Sequence, residues 1–182
     1  IVATVNGEFY GYREIQNDLE KRGHCFRSDS DSEIVIHLYE EYGDRCLEHL
    51  RGEFSFILWD ANRERFFAAR DRFGIKPLRN PGIHMGIILS SEAKAILHGE
   101  AHPRWDTGAL CRVLTHQYLA PDESLFANIR QLPPAHSLSF ENGRLHLSNY
   151  WDPGKGSTDC SPEELLATLE KSVTDRIHSR GV

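Results

Sequence analysis

Three neighbouring residues near the start of the chain have the clearest potential for chemistry. In TVNGEFYGY, residues 4–12, Asn6 offers a side-chain amide, Gly7 a backbone N–H with no side chain over it, and Glu8 a carboxylate. Two aromatic residues follow at once. An amide, a bare N–H and a carboxylate crowded together can form a site for a small polar molecule.

A plain structural interpretation of these residues stays open. Asn-Gly between β-branched or aromatic residues favours a tight hairpin turn, because both residues tolerate positive φ. In that case Asn6-Gly7 is only a turn and Glu8 is a solvated turn carboxylate. Asp31, in the stretch SDSE, is similarly ambiguous, since the helix dipole favours an acidic residue in the first turn of a helix.

The patterns that bind metals are weak in this chain. Its four cysteines include no CxxC pair, which argues against a zinc ribbon or a redox motif and favours reduced thiols. HGEAH places His98 and His102 four residues apart, but a zinc-protease helix needs Glu where this chain has Gly99. The sequence predicts a loop there and no metal site.

The composition limits the classes of partner. A chain of 182 residues suits one domain and an appendage. The formal charge of −6 argues against nucleic acid, and no apolar run is long enough to span a membrane. The N-terminal IVATVNGEFY lacks signal-peptide features and resembles a strand entered in mid-course, so we expect a fragment of a longer, cytoplasmic protein.

Residues typical of helix ends mark the helices that must position the candidate residues. YREIQNDLEKRG predicts a short amphipathic helix closed by Gly23, and a strand-like HCFRS follows it. Ser30 and Glu33 form a capping-box pattern before an apolar run that ends at Gly43. This pattern predicts a second helix over about residues 31–42.

The middle of the chain has the pattern of an antiparallel sheet. GEFSFILWD predicts a strand buried on both faces, and FFAARD and MGIILSSE predict two more strands after short turns. SLSFENGRLHL predicts a hairpin around Asn142-Gly143. SEAKAIL and TGALCRVLTHQYL predict short helices, the second with Leu110, Val113 and Leu114 toward the core.

The composition changes after Trp151. DPGKGSTDCS predicts a linker, and Ser161, Pro162 and Glu164 together predict the start of a helix. An apolar stripe along this helix has little of its own domain to pack against. We therefore expect it to open a second domain.

Eight segments of the sequence resemble, in order and spacing, the class II glutamine amidotransferase domains of glutamine-dependent asparagine synthetases. They are VNGEFYGYREI, SDSE, HLYEEYG, LRGEFSFILWD, ARDRFGIKPL, SSEAKAIL, QLPPAHSLSF and YWDP. The resemblance implies an amidotransferase domain over residues 1–151 and a linker over 152–160. Residues 161–182 then form the first helix of a truncated ATP-binding domain of the asparagine-synthetase type.

The resemblance also implies a fold and a reaction. The fold is the α+β, four-layer αββα sandwich of the N-terminal-nucleophile type, with antiparallel sheets. An N-terminal cysteine thiolate attacks the side-chain amide of glutamine, with the α-amino group as base, and ammonia passes to the synthetase domain. There ATP and Mg²⁺ activate the acceptor, so aspartate, glutamine and ATP give asparagine, glutamate, AMP and pyrophosphate.

Each candidate residue acquires a role from the resemblance. Asn6 and Gly7 resemble the catalytic donors that stabilise the tetrahedral oxyanion, through the Asn6 amide and the Gly7 N–H. Glu8 and Asp31 resemble the pair that binds the α-ammonium group of glutamine. Independently of the resemblance, we expect DRFGIKPL to form a turn in which Asp71, Arg72 and Lys76 have structural roles.

The chain departs from the family pattern at several points. Residue 1 is Ile, no cysteine has a CGI context, and no SGGxDS pyrophosphate-binding loop follows the last helix. We therefore expect a fragment truncated at both ends that hydrolyses no glutamine and holds no cofactor of its own. Gly11 stands where relatives usually have a second Asn, which removes an amide near the pocket rim.

Two other functions stay open beside the glutaminase hypothesis. In one, the domain is a non-catalytic scaffold of a β-lactam-synthetase-like enzyme that acts on another acceptor. In the other, it is a free-standing amino-acid-binding module. The glutaminase hypothesis implies glutamine and the synthetase domain of the same chain as partners, and it allows a homodimer.

Overall fold

The computed structural model describes residues 1–80, 88–98, 103–155 and 160–179. Within these residues the strands are β1 (Val2–Phe9), β2 (Gly52–Asp60), β3 (Arg65–Arg70), β4 (Arg79–Asn80), β5 (Arg130–Gln131), β6 (His136–Glu141) and β7 (Arg144–Asn149). The α-helices are α1 (Tyr12–Lys21), α2 (Ile34–Tyr42), α3 (Cys46–His49), α4 (Ala93–Leu97), α5 (Thr107–His116) and α6 (Pro162–Ser179). The α+β class and the antiparallel pairing that the sequence predicts are confirmed.

The chain divides into two units. The first unit comprises Ile1–Gly7 and Glu53–Asn149, and the second comprises Glu8–Gly52 and Tyr150–Val182. A five-stranded sheet in the order β1-β2-β3-β6-β7 accounts for most of the strand residues of the first unit, which also contains the two-stranded sheet β4-β5. The second unit is mainly helical and contains α1, α2, α3 and α6.

The clearest sequence prediction in the first unit is confirmed. The strands β6 and β7 pair antiparallel in the register Glu141↔Arg144, so a two-residue turn joins them. That turn consists of Asn142 at φ 51° and Gly143 at φ 74°. Positive φ at both positions is what a primed hairpin turn requires, and Asn-Gly supplies it at little cost.

The strand β2 forms the centre of the first unit. Phe54, Ser55 and Phe56 are buried in succession, which confirms that both faces of the strand are covered there. The prediction fails toward the other end, where Trp59 is 42% exposed. A cluster of Ala68, Leu78, Leu132 and Leu138 supplies further core of this unit.

Asp71 organises the loop that follows β3. Its buried carboxylate accepts backbone hydrogen bonds from Phe73 and Ile75 through Oδ1 and from Lys76 through Oδ2, each of 3.0 Å. Arg70 continues this network, since its guanidinium donates to the carbonyl groups of Lys76, Leu132 and Gly74 at 2.6–2.7 Å. Burial lowers the pKa of Arg70, whereas the adjacent Asp71 charge opposes that effect. The structural role expected for Asp71 therefore has a direct geometric basis.

Replacing Asp71 with alanine is expected to lower the free energy of unfolding by about 3 kcal/mol, because three loop N–H groups lose their acceptor. Chemical denaturation followed by circular dichroism measures the loss. Asp122, an exposed acidic residue, provides the matched control: Asp122→Ala should change stability by less than about 0.5 kcal/mol. Equal stability of the two variants would show that the Asp71 network contributes nothing.

The helices of the second unit lie close to their predicted positions. Gly23 follows α1 with φ 98°, and Leu19 is 1% exposed. The predicted second helix is α2, which is preceded by a 3₁₀ turn over Asp31–Glu33 and ends at Gly43. The predicted strand in HCFRS is wrong, because residues 24–28 form no strand.

The capping box predicted at Ser30 forms only in part. The Ser30 hydroxyl accepts a hydrogen bond from the Ser32 N–H at 3.3 Å, as a capping residue does. The Glu33 carboxylate does not complete the box by accepting the Ser30 N–H. Its carboxylate accepts the N–H groups of Arg27 and Ser28, both at 2.8 Å, so it fixes the preceding loop instead.

The apolar positions of α5 are misplaced by the periodicity argument. Asp106 caps this helix by accepting the Ala109 N–H, and Ala109 is the residue that is buried. Leu114 is 76% exposed and Leu110 is also exposed, so the prediction that they face the core is wrong. The buried side of this helix thus carries Ala109, and these two leucines lie on its exposed side.

The last helix begins as the sequence predicts. The Ser161 hydroxyl accepts the Glu164 N–H at 3.2 Å and the Glu164 carboxylate accepts the Ser161 N–H at 2.9 Å, which completes a capping box. The apolar stripe of α6 is more than half exposed at each position: Leu165, Leu166, Leu169, Val173 and Ile177.

Two sequence predictions fall wholly or partly on residues outside those that the structure describes. The loop HGEAH lies outside them except for His98, and so does the first part of the strand predicted in MGIILSSE. In the remainder of that segment Ser90 forms an isolated bridge with Arg79. Within the described residues, the helices are too short or too polar to cross a bilayer.

Candidate functional site

Asn6 and Gly7 lie inside a strand. The strand β1 runs without interruption from Val2 to Phe9, so the interpretation of Asn6-Gly7 as a plain hairpin turn is wrong. A turn needs the chain to reverse, and here β1 instead pairs with β2, which lies far along the sequence. Asn6 is exposed, whereas Gly7 and Glu8 are half-buried.

Gly7 is required by the close approach of the neighbouring strand. Its φ is 144°, and a Cβ atom at this position would lie 1.9 Å from the Glu53 carbonyl oxygen and 2.7 Å from the Phe54 Cα. Gly52 has the reciprocal feature, since a Cβ there would lie 2.1 Å from the Glu8 carbonyl oxygen. The smallness of Gly7 therefore has a structural cause at the point where β1 and β2 run side by side.

Asp31 is tied to the end of β1 within the second unit. Its Oδ2 accepts a hydrogen bond from the Phe9 N–H at 2.8 Å, across 22 residues of sequence. Its Oδ1 accepts a longer bond of 3.4 Å from the Ser32 hydroxyl. The carboxylate of Asp31 is thus anchored to the residue next to Glu8, so it does more than offset the helix dipole.

Glu33 holds the loop that carries Asp31, a role that the sequence did not suggest. Burial raises the pKa of Glu33, but hydrogen bonds from the Ser28 hydroxyl and from the backbone of Arg27 and Ser28 outweigh it. The pKa of Glu33 therefore lies below its usual value, and the carboxylate stays ionised as an acceptor. The signal was present in the sequence as the capping-box pattern, although the partner differs.

Gly11 adopts a left-handed backbone conformation, which both glycine and asparagine tolerate. It lies at the N-terminal end of α1 in the left-handed region, with φ 68°, and a Cβ there would meet no atom within 4 Å. After glycine, asparagine adopts this conformation most readily. Glycine and asparagine therefore suit the same backbone geometry at this position, and glycine lacks the side-chain amide.

Two cavities of the second unit lie near this end of β1. One of about 270 Å³ is lined by residues 9–14 together with Asp175. The other, of about 430 Å³, is lined by Tyr12, Arg13, Gln16, Asn17 and Asp29. Neither is lined by the four candidate residues.

The structure thus links the candidate residue Asp31 to the residue that follows Glu8. Within the second unit, Asp31 bonds to the backbone N–H that directly follows Glu8. Asn6 and Gly7 precede Glu8 in the chain and belong to the first unit. The two carboxylates of the second unit are suited to a group that carries an ammonium charge.

Comparison with known proteins supplies the family. A family model described as a glutamine amidotransferase domain matches residues 1–151. An asparagine synthetase [glutamine-hydrolyzing] of Bacillus subtilis is 33% identical over 174 residues, which cover 94% of this chain and 28% of that protein. The amidase chyE of Penicillium rubens is 37% identical over 186 residues, which cover 99% of this chain and 27% of that protein. The chain thus spans between a quarter and a third of these relatives.

Solved structures agree with the predicted fold class. The glutamine phosphoribosylpyrophosphate amidotransferase of B. subtilis, solved with ADP and GMP, aligns with a TM-score of 0.55 and 17% identity. The alignment covers 82% of this chain and 29% of that chain. The likeness confirms the N-terminal-nucleophile type of fold that the sequence predicted.

Proposed function

Because the chain belongs to the glutamine amidotransferase domain family, we propose that it is the glutamine-hydrolysing part of an ATP-dependent amidotransferase ligase similar to asparagine synthetase. Its reaction releases ammonia from the side-chain amide of glutamine. The synthetase part of the same protein then uses the ammonia to amidate an acceptor carboxylate, with aspartate as the proposed acceptor. We place the protein in the cytoplasm, where glutamine and ATP are available.

In this proposal the four candidate residues have two separate roles in binding and hydrolysing glutamine. The Asn6 amide and the Gly7 N–H donate to the oxyanion that forms when the amide carbonyl is attacked. Glu8 and Asp31 accept hydrogen bonds from the α-ammonium group and hold the substrate by its far end. A charged anchor far from the reacting carbonyl fixes the substrate's orientation before the attack.

Other parts of the reaction belong to the rest of the protein. The nucleophile is a cysteine thiolate at the mature N-terminus, with the α-amino group as its base. ATP and Mg²⁺ bind in the synthetase domain and activate the acceptor as an acyl-adenylate.

One observation carries this proposal beyond the family match. The hydrogen bond of 2.8 Å from the Phe9 N–H to Asp31 ties the second carboxylate of the proposed ammonium site to the backbone directly after Glu8. A carboxylate that served only the helix dipole would need no such partner. The bond also restricts the Asp31 rotamer, so less entropy is lost when a substrate binds.

Replacing Asp31 with asparagine tests the ammonium site. The asparagine carbonyl can still accept the Phe9 N–H, whereas the negative charge is lost. Because a hydrogen bond between charged groups contributes about 1.5–3 kcal/mol, KM for glutamine should rise about 10- to 100-fold. Steady-state glutamate release by the full-length protein measures this, and ammonia-dependent amidation should stay unchanged.

The matched control for this substitution is Asp29→Asn, two residues away on an exposed position. It should leave KM for glutamine within about twofold of the wild-type value, because a solvated charge contributes little. An unchanged KM in Asp31→Asn would contradict the assigned role. A loss of ammonia-dependent amidation would mean that the variant is misfolded.

The scaffold function of a β-lactam-synthetase-like enzyme is the second candidate. The lost amide at Gly11 favours it, since a domain that binds no glutamine has no need of that group. The left-handed backbone at Gly11 weakens the argument, because glycine also suits that conformation for purely local reasons. A scaffold would support amidation or cyclisation without any release of glutamate.

A further inference from the structure

A cluster of metal-ligating side chains lies in the second unit, apart from the residues proposed to act on glutamine. His24 follows the glycine that closes α1, and His37 and Glu40 are one turn apart on α2. The Glu40 Oε2 lies 2.9 Å from His37 Nδ1 and 3.5 Å from His24 Nδ1. One ligand atom from each residue lies within 4.8 Å of the other two.

The outer nitrogen of each imidazole faces a second carboxylate. His24 Nε2 lies 3.3 Å from Glu41 Oε2, and His37 Nε2 lies 3.5 Å from Glu33 Oε1. Among the described residues, the buried His37 Nε2 has no hydrogen-bond partner. Its 3.5 Å contact with Glu33 therefore counts as an ion-pair distance and not as a hydrogen bond. Histidines that bind metals through one nitrogen commonly direct the other at a carboxylate, which orients the ring.

The loop that carries His24 is held in place. Glu33 accepts the N–H groups of Arg27 and Ser28, both at 2.8 Å, so the chain just after His24 is fixed to the start of α2. The rings of Phe26 and His37 pack with centroids 4.4 Å apart, which shelters the cluster on one side. A binding site whose ligands are held before the ion arrives loses less entropy on binding.

The spacing and the atom types suit a transition-metal ion. Tetrahedral zinc with nitrogen and oxygen ligands at about 2.0–2.2 Å needs ligand atoms about 3.3 Å apart. The two measured separations, 2.9 and 3.5 Å, lie on either side of that value. Two imidazole nitrogens and one carboxylate favour Zn²⁺ or a similar ion over Mg²⁺ and Ca²⁺, which prefer oxygen ligands alone.

We propose that His24, His37 and Glu40 form a binding site for a divalent transition-metal ion of the Zn²⁺ class, with water as the fourth ligand. Glu40 is half exposed, so the ion has an open path to solvent. The ion joins the loop after α1 to α2 and stabilises the second unit. The sequence did not single out these residues, although the spacing of His37 and Glu40 on a helix is the signal that could have found them.

Zinc binding to the full-length protein tests the site. Binding is measured by equilibrium competition with a chromogenic chelator, in the wild type and in the variants His24→Asn, His37→Asn and Glu40→Gln. The wild type should bind one equivalent, and each variant should bind at least about tenfold more weakly, because one of three protein ligands is lost. Glu33→Gln should also weaken binding, by about tenfold, through the orientation of His37.

Two matched controls separate this site from adventitious binding. His146→Asn removes an exposed histidine of the first unit, and Cys25→Ser removes the exposed thiol beside His24. Both should bind zinc as the wild type does, and zinc should raise the thermal midpoint in both. The proposal is overturned if the wild type binds no zinc at micromolar concentration. It is also overturned if His24→Asn and His37→Asn bind normally, or if either control loses binding equally.

Discussion

Substituting Gly7 with alanine is expected to lower the free energy of unfolding by about 4 kcal/mol or more. The added Cβ would lie 1.9 Å from a backbone oxygen of β2, and backbone cannot move aside as the end of a flexible side chain can. The φ of 144° adds strain, since that region of backbone space is almost confined to glycine. Urea denaturation of the wild type and the variant measures the difference.

Gly11→Ala is the matched control for Gly7→Ala. Gly11 also has positive φ, but a Cβ there would meet no atom within 4 Å, so only the left-handed conformation opposes alanine. The expected loss is about 1 kcal/mol. If Gly7→Ala proved no more destabilising than Gly11→Ala, the close approach of β1 and β2 would be wrong.

The second large effect is expected on catalysis. Asn6→Ala should lower the rate of glutamine hydrolysis by the full-length protein about 10²- to 10³-fold, because one donor to the oxyanion is lost. Asn6 is exposed, so the substitution should change the free energy of unfolding by less than about 0.5 kcal/mol. Glutamate release and ammonia-dependent amidation, measured on the same preparation, separate a catalytic loss from a loss of folding.

This experiment has a second test variant, Asn6→Asp, and a control variant, Asn62→Ala. Aspartate matches asparagine in shape but places negative charge where the oxyanion develops, so its rate should fall at least as far as that of Asn6→Ala. Asn62 is an exposed amide in the turn between β2 and β3, and its removal should leave the rate unchanged. Normal glutamine hydrolysis in both Asn6 variants would contradict the assignment of Asn6 to the oxyanion.

The parts of the fold that the sequence predicts correctly are those fixed by local chemistry. Asn142-Gly143 forms the expected hairpin because positive φ is a property of those two residues wherever they stand between strands. Ser161 and Glu164 form the expected capping box because both bonds close within a single turn. Such features need no partner from elsewhere in the chain.

The predictions that are wrong concern features that depend on tertiary contacts. Asn6-Gly7 has the same dipeptide as the β6–β7 turn, yet pairing of β1 with β2 keeps it extended. In α5 the periodicity points to leucines, whereas Ala109 is the residue that packs against the core. For β1 no local pattern could show this outcome, because its partner strand β2 begins more than 40 positions later.

The candidate site divides in the same way. The adjacency of Asn6, Gly7 and Glu8 is visible in the sequence itself. The link between Asp31 and the end of β1 spans 22 residues, and only the resemblance to a known family suggested that Asp31 belongs with Glu8. The roles of all four residues on glutamine stay predictions, and the Asn6 and Asp31 variants test them.

The most direct test of the central claim is the release of glutamate from glutamine by the purified full-length protein. Amidation of the acceptor with ammonia in place of glutamine is followed in parallel. We expect glutamate to appear in step with the amidated product, and its release to fall about 10²- to 10³-fold in Asn6→Ala while ammonia still supports amidation. Amidation with ammonia but no glutamate release by the wild type would contradict the claim and identify the domain as a scaffold.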